Sequence, residues 1–174
     1  MSTDNHNRII LEPFTKKDFE TFKSWITDEE ELALFAGPIF SFPVKDAELI
    51  AYLNRPEIKP FKVIFRETGE NIGHCELNFG HELPRLSRIL VGDQSMRGKG
   101  IGEQIVIEMV SIIFQNHSVQ KVDLNVFDFN KSAIRCYEKV GFEINPIPTL
   151  DLSVHGKTWK RLNMILSRTQ FKKS

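Results

Sequence analysis

Between Arg88 and Ile113 the chain changes hydrophobic period at a cluster of glycines, and few folds can place such a change. Residues 88–91 read RILV, the end of a strand. From Gly100 onward Ile101, Ile105, Met109, Ile112 and Ile113 return at helical spacing and define one apolar helix face. The two segments are joined by Arg97-Gly-Lys-Gly-Ile-Gly102. Glycines in a turn that opens a helix let backbone N–H groups converge without Cβ interference, and the unpaired amides of the first helical turn join them. A turn of this kind receives anions, a phosphate or diphosphate foremost.

Two familiar phosphate motifs do not fit. A P-loop ends in Gly-Lys-Ser/Thr, but Lys99 is followed by Gly100, so no hydroxyl stands there to hold magnesium. A dinucleotide fingerprint spaces its glycines Gly-x-Gly-x-x-Gly, whereas these fall at 98, 100 and 102. With 174 residues, 41% of them apolar, the chain suits one α/β domain with a full core. Its 23 basic and 23 acidic residues cancel, which argues against a general nucleic-acid surface. Cys75 and Cys136 lie far apart, so neither a zinc site nor a disulfide framework is expected. No apolar run approaches the ~18 residues of a membrane span. The opening MSTDNHNR lacks a secretion signal's apolar core, so a cytoplasmic protein that engages no membrane is expected.

Residues 1–7 read as a disordered lead, 8–167 as the domain and 168–174 as a polar tail that frays. A strand at 8–12 is stopped by Pro13; Thr15 then caps a helix with Asp18 at its N3 position. After a short helix at 28–34, residues 35–43 carry several rings on backbone broken by Gly37, Pro38 and Pro43. Such a segment either packs over the fold or lines a pocket, which makes Phe35, Phe40 and Phe42 candidate acceptor contacts. In the helix at 46–53, Ala47, Ile50, Ala51 and Leu53 are expected to face inward. Residues 61–66 and 71–79 read as an antiparallel hairpin whose second strand puts His74, Glu76 and Asn78 on a polar face. A strand at 119–127 separates Asp123 and Asn125 from Val122, Leu124 and Val126. The helix at 130–139 is capped by Asn130 and ended by Gly141, with Ala133, Ile134, Tyr137 and Val140 as its inward stripe. Strands at 142–150 and 158–166 follow.

Read as Arg97-x-x-Gly100-x-Gly102, the turn resembles the acyl-CoA diphosphate loop of the GNAT N-acetyltransferase superfamily. Asn130-x-x-Ala133-x-x-x-Tyr137-x-x-x-Gly141-Phe142 matches that family's second signature, in the family's order and with a strand between the two. The opening Leu11-Glu-Pro-Phe-Thr-x-x-Asp18, with Trp25 and Asp28, is similar to the branch that contains the ribosomal-protein N-terminal acetyltransferases. Asp93 departs from the proline often seen in that branch, and Tyr137 from the residue many of its members carry. The resemblance implies a single-domain α/β fold with a mixed, mostly antiparallel sheet of about seven strands, splayed in the middle and flanked by helices. Acetyl-CoA would enter the gap from one side and a primary amine from the other. The implied reaction is direct attack of the amine on the thioester in a ternary complex, with no metal and no covalent enzyme intermediate.

On this resemblance the amides of Arg97, Gly98, Lys99, Gly100, Ile101 and Gly102 take the diphosphate. The backbone of Ile89, Leu90 and Val91 binds the pantetheine arm like an added strand, and an amide near Val91 faces the carbonyl oxygen. Asn130 binds near the end of that arm as well as capping its helix. Tyr137 is the candidate general acid for the departing thiolate, although a core tyrosine would occupy the same helix stripe. Glu76 is the candidate base, directly or through water; an edge-strand face would hold the same residues with no role. Asp123 and Asn125 are candidate acceptor anchors, and His81, Glu82 and His155 are lesser candidates on loops. The acceptor is a small-molecule amine or a peptide N-terminus, and the protein a monomer or homodimer. The alternative is a non-catalytic acyl-CoA-binding or sensing protein with the same fold.

Overall fold

The computed structural model describes residues 7–172. In chain order its elements are β1 (Ile9–Pro13), α1 (Phe19–Ser24), α2 (Glu29–Ala36), α3 (Asp46–Leu53), β2 (Ile58–Phe65), β3 (Asn71–Asn78), β4 (Arg85–Val91), α4 (Ile101–Asn116), β5 (Lys121–Phe127), α5 (Lys131–Val140), β6 (Glu143–Ile144), β7 (Leu152–Val154), β8 (Lys157–Trp159) and β9 (Arg161–Ser167). Seven strands form one sheet in the order β1-β2-β3-β4-β5-β9-β6, and β7 and β8 form a separate hairpin. This is the expected mixed sheet flanked by helices.

Only β4 and β5 run parallel, because α4 carries the chain back between them. Their pairing is confined to Arg85↔Asp123 and Leu86↔Leu124. Beyond Leu86 the two strands part, and the sheet is splayed at its centre. On the other side β4 stays paired with β3, although the register slips between His74↔Leu90 and Glu76↔Ser87. Two residues of β4, Arg88 and Ile89, therefore oppose Cys75 alone, and Arg88 takes a positive φ of 49° at this bulge.

Each face of the sheet has its own core. Under one face Ile101, Ile105, Met109 and Ile113 of α4 pack with Val63, Cys75, Leu77 and Leu124. Over the other, Phe14, Phe22, Phe40, Leu49 and Tyr52 form a second cluster around α1 to α3. The inward side of α3 differs from the expectation: Leu49 and Tyr52 are buried, while Ala47, Ile50 and Ala51 are exposed. The same i, i+3 spacing serves either pair of faces, and the aromatic ring of Tyr52 outweighs its hydroxyl once that hydroxyl has a partner.

Two more expectations change. The strand foreseen at 142–150 is two residues long, and the chain instead builds the β7–β8 hairpin before β9. Much of the tail expected to fray is held: the Arg168 guanidinium donates to the carbonyls of Val119, Phe114 and His117, and Phe171 packs on the α4 core. The lead expected to be disordered lies, apart from Asn7, outside the described residues; the side chain of Asn7 accepts from the amide of Ile9. Among the described residues no helix is long and apolar enough to cross a membrane.

Candidate active site

The glycine turn has the conformation its sequence requires. Gly98 and Gly100 both adopt left-handed backbone, with φ of 73° and 77°, where a Cβ would be strained. Gly100 is the N-cap of α4 and offers no side-chain cap, so the amides at the helix start are left for another acceptor. Arg8, not anticipated from the sequence, donates to the Lys99 carbonyl and fastens the turn to the start of β1. Arg97 turns the other way: its Nε donates to the Val91 carbonyl at 2.9 Å, and its Nη2 lies 3.8 Å from Glu31 of α2. The Arg97 side chain thus ties the turn to β4 and α2, while its backbone remains in the loop.

The opened edge of β4 lies one strand-length before this turn. The Gly92 amide donates to Ile72 of β3, so by strand alternation Leu90 also directs its polar groups to β3, whereas Ile89 and Val91 face the gap. The close approach of the Leu90 carbonyl to Gly73 fits this orientation: a Cβ on Gly73 would lie 2.4 Å from that oxygen. Of the three backbone positions expected to meet the cofactor arm, Ile89 faces the correct edge and Val91 presents its amide there, its carbonyl being taken by Arg97. Leu90 is spent on sheet pairing.

A cleft of about 310 Å³ occupies the splay. Phe35 and Pro38 form part of one wall, Ile89, Asn125, Asn130 and Tyr137 the sheet side, and Leu152 and Arg161 the rim contributed by the β7–β8 hairpin and β9. Tyr137 is half-buried, with its ring 6.2 Å from Phe142; burial first and Cys136 second push its phenol well above the usual tyrosine range. The side chain of Asn130 accepts from the Ala133 amide at 3.3 Å, so it caps α5 and lines the cleft at once.

Glu76 does not reach the cleft. It is 0% exposed and accepts from the Tyr52 hydroxyl at 2.6 Å and from Arg88 Nη1 at 2.8 and 2.9 Å. The face of β3 read as polar and open is covered by the aromatic layer. His74 lies on it among Phe14, Phe22, Phe35 and Tyr52, with ring centroids 4.9, 5.0, 5.8 and 6.1 Å away. Burial lowers the His74 pKa to about 4, and its Nδ1 donates to the Arg88 carbonyl at 3.2 Å. Burial, followed by the Glu76 charge, raises the Tyr52 phenol, so this hydroxyl stays a donor. A candidate base has become a structural anion behind the cleft wall.

Asp123 is likewise withdrawn. Arg85 grips it with two bonds of 2.8 Å, and the Asn163 amide adds a third at 3.1 Å. The same Asn163 nitrogen donates to Asn125 Oδ1 at 3.0 Å, which orients an amide that does line the cleft. Among the expected aromatic contacts Phe35 reaches the cleft, Phe40 is buried against Phe22 and Tyr52, and Phe42 lies on the surface at 37% exposure. Irregular backbone permits all three fates, and the packing of α1 to α3 decides among them.

Four cleft residues were underrated in the sequence. His81, named there only as a loop residue, stands at the cleft mouth, its pKa lowered first by partial burial and next by Arg85. Arg85 and Arg88 sit three apart, a spacing that a regular strand places on opposite faces; only the bulge turns both toward the cleft. Arg161 left no sequence signal, because its place depends on the hairpin before it.

The chain matches the model of the acetyltransferase (GNAT) domain over residues 8–143. An aminoglycoside N(6')-acetyltransferase type 1 of Klebsiella pneumoniae is 26% identical over 157 residues, covering 81% of this chain and 77% of that protein. An L-amino acid N-acetyltransferase of Escherichia coli strain K12 is 28% identical over 95 residues, 52% of this chain and 57% of that one. Among solved structures, the spermidine N-acetyltransferase of Vibrio cholerae in complex with CoA and spermine superposes with a TM-score of 0.78 at 17% identity, covering 95% and 98% of the two chains. These matches overturn the expected placement nearest the ribosomal-protein N-terminal acetyltransferases, since the relatives matched in sequence are aminoglycoside and L-amino acid acetyltransferases and the fold superposes on a spermidine acetyltransferase. Thr15 and Asp18, part of the motif behind that placement, close a capping box and so report a helix start rather than a substrate. With a family match over most of its length and the glycine turn, the splayed sheet and the α5 signature in the family's arrangement, the chain belongs to the GNAT acetyltransferase family.

Proposed function

We propose that acetyl-CoA lies along the open edge of β4 and that an amine entering beside α2 attacks its thioester within the cleft. Acetyl transfer from acetyl-CoA to an amine is the activity of this chain as a GNAT enzyme; the proposal concerns which residues carry it. One observation supports the pose above all others. The β4–β5 ladder ends at Leu86, with the glycine turn after β4 and Tyr137 and Asn130 on the wall of the gap.

In this reading the amides of residues 98–102 hold the diphosphate, reinforced by the α4 dipole. Ile89 pairs with the pantetheine arm, and the Val91 amide donates to the carbonyl oxygen as charge develops on it. Asn130 positions the end of the arm. The amine must be neutral to attack. His81, an imidazole whose pKa is held below its ordinary value, is unprotonated at neutral pH and takes the proton. The tetrahedral intermediate collapses with cleavage of the C–S bond. Tyr137 keeps its proton at neutral pH and donates to the departing sulfur, so that the net proton transfer runs from nitrogen to sulfur. Glu76 and Asp123 act at one remove by fixing Arg88 and Arg85, while Asn125 and Phe35 contact the acceptor, a small molecule or a peptide N-terminus.

The test is thiol release from acetyl-CoA by the purified protein with a panel of primary amines. Acceptor-dependent thiol is the expected result. Its absence across the panel, with acetyl-CoA saturating, refutes the reading.

A further inference from the structure

The charged side chains that line the cleft are Arg85, Arg88 and Arg161, with His81 at the mouth and no aspartate or glutamate among the lining residues. This is the wrong lining for a polycation. The two carboxylates closest behind the wall are already occupied, Glu76 by Arg88 and Asp123 by Arg85, so neither is open to an ammonium group. Three guanidiniums against two carboxylates leave one positive charge, and it resides on Arg161. The Arg161 side chain forms no ion pair among the described residues, and its Nε is buried without a hydrogen-bond partner; the neighbouring Asp151 carboxylate instead accepts from the Arg161 backbone amide at 3.3 Å. Arg88 Nε is likewise buried without a partner, but its guanidinium is neutralised by Glu76, which leaves Arg161 as the arginine of the wall with neither a counter-ion nor an acceptor for its Nε. The rest of the wall includes Phe35, Phe127 and Leu152, which can hold an apolar body.

Resting on the acetyl-transfer reading above, we propose that the acceptor is a small amine that carries an anionic group beside an apolar body, and that Arg161 is the residue that selects it. The planar fork of an arginine matches a carboxylate or phosphonate with two parallel bonds, which an uncharged acceptor cannot reciprocate. Polycationic amines are disfavoured for the converse reason. They would bring a second ammonium to a wall of guanidiniums whose counter-ions are taken, and specificity arises as much from such repulsion as from attraction. The apolar α-amino acids are the simplest molecules with this combination of groups.

A matched acceptor series tests this on the unaltered protein: leucine, leucinamide, 3-methylbutylamine and the aminophosphonate analogue of leucine, with spermidine and kanamycin as polycations. Thiol release is followed at saturating acetyl-CoA, and kcat/KM is expressed per unprotonated amine, because the carboxamide lowers the pKa of its neighbour. Leucine should exceed both neutral analogues by about 10- to 150-fold, the range of a hydrogen bond to a charged group. The phosphonate arm shows whether the wall takes either oxyanion or the planar one alone. Arg161→Gln should raise KM for leucine and leave that for 3-methylbutylamine nearly as it was, and Arg161→Lys should recover part of the loss. Retained thermal stabilisation by acetyl-CoA verifies that the variants are folded. Neutral analogues equal to leucine, or a polycation preferred over it, overturn the inference while leaving the acetyltransferase reading intact. Thiol release by none of the six overturns both.

Discussion

Replacing Arg88 with methionine keeps the apolar stem and removes the guanidinium from a carboxylate that has no exposed surface. Glu76 would retain a single donor, the Tyr52 hydroxyl at 2.6 Å, in place of a doubly bonded cation at 2.8 and 2.9 Å. Stranding a buried charge in this way costs about 3–5 kcal/mol. In a chain of this length each kcal/mol lowers Tm by about 2–4 °C, so Tm should fall by roughly 6–20 °C. Glu76→Gln should cost less, about 1–3 kcal/mol, because the Arg88 side chain is 13% exposed on the cleft and keeps access to water. The double variant should then be more stable than Arg88→Met alone, a coupling that additive effects cannot produce. Urea unfolding of the four proteins provides the measurement. An Arg88→Met cost below about 1 kcal/mol, or strict additivity in the double variant, would refute the account of Glu76 as a buried anion neutralised by Arg88.

Tyr137→Phe should lower kcat by about 10²–10⁴-fold with acetyl-CoA affinity unchanged; an unaltered kcat in stopped assays would return this ring to a packing role. His81→Gln should lower kcat/KM expressed per unprotonated amine and abolish its ascending acid limb, which in the parent lies below the ordinary imidazole value of about 6.5; a limb that persists in the variant after this normalisation removes His81 as the base. His74 contributes to acid lability: its pKa falls to about 4 on burial, so its share of stability is complete above about pH 6.5, is lost as pH drops toward 4, and amounts to about 3 kcal/mol. His74→Leu should therefore flatten the urea-unfolding profile over that window, and an unchanged acid slope would count against the assignment. Gly100→Ala forces an L-residue to φ 77° at about 1–2 kcal/mol and should weaken coenzyme A binding in calorimetry more than it lowers kcat at saturation.

What the sequence could reveal was whatever is local. The glycine turn, the helix it opens, the Asn130 cap and the α5 stripe each depend on residues within a few positions of one another, and each appears in the structure at the foreseen place. Ile89, Asn130 and Tyr137, which the family resemblance singles out, line one cleft. Alternation along β3 correctly put His74, Glu76 and Asn78 on one face. It could not say that α1 to α3 would cover that face, because the covering layer is 20 to 60 residues away in the chain and an alternating strand looks the same whether its polar side meets water or an aromatic shell.

Tertiary structure alone decided the charge of the site. Glu76 and Asp123 are ordinary carboxylates in the sequence; folding sets each against an arginine brought round by a bulge at Arg88 or by pairing across β4 and β5. Arg161 reaches the cleft because β9 pairs with β5, opposite Phe127. The gap itself exists because a parallel ladder stops after two pairs, and where pairing stops is a property of two strands separated by a 16-residue helix rather than of either strand. Local spacing thus determined the glycine turn and the likeness to the family, while the charge of the cleft was left to contacts between distant segments, where burial and charge are settled together.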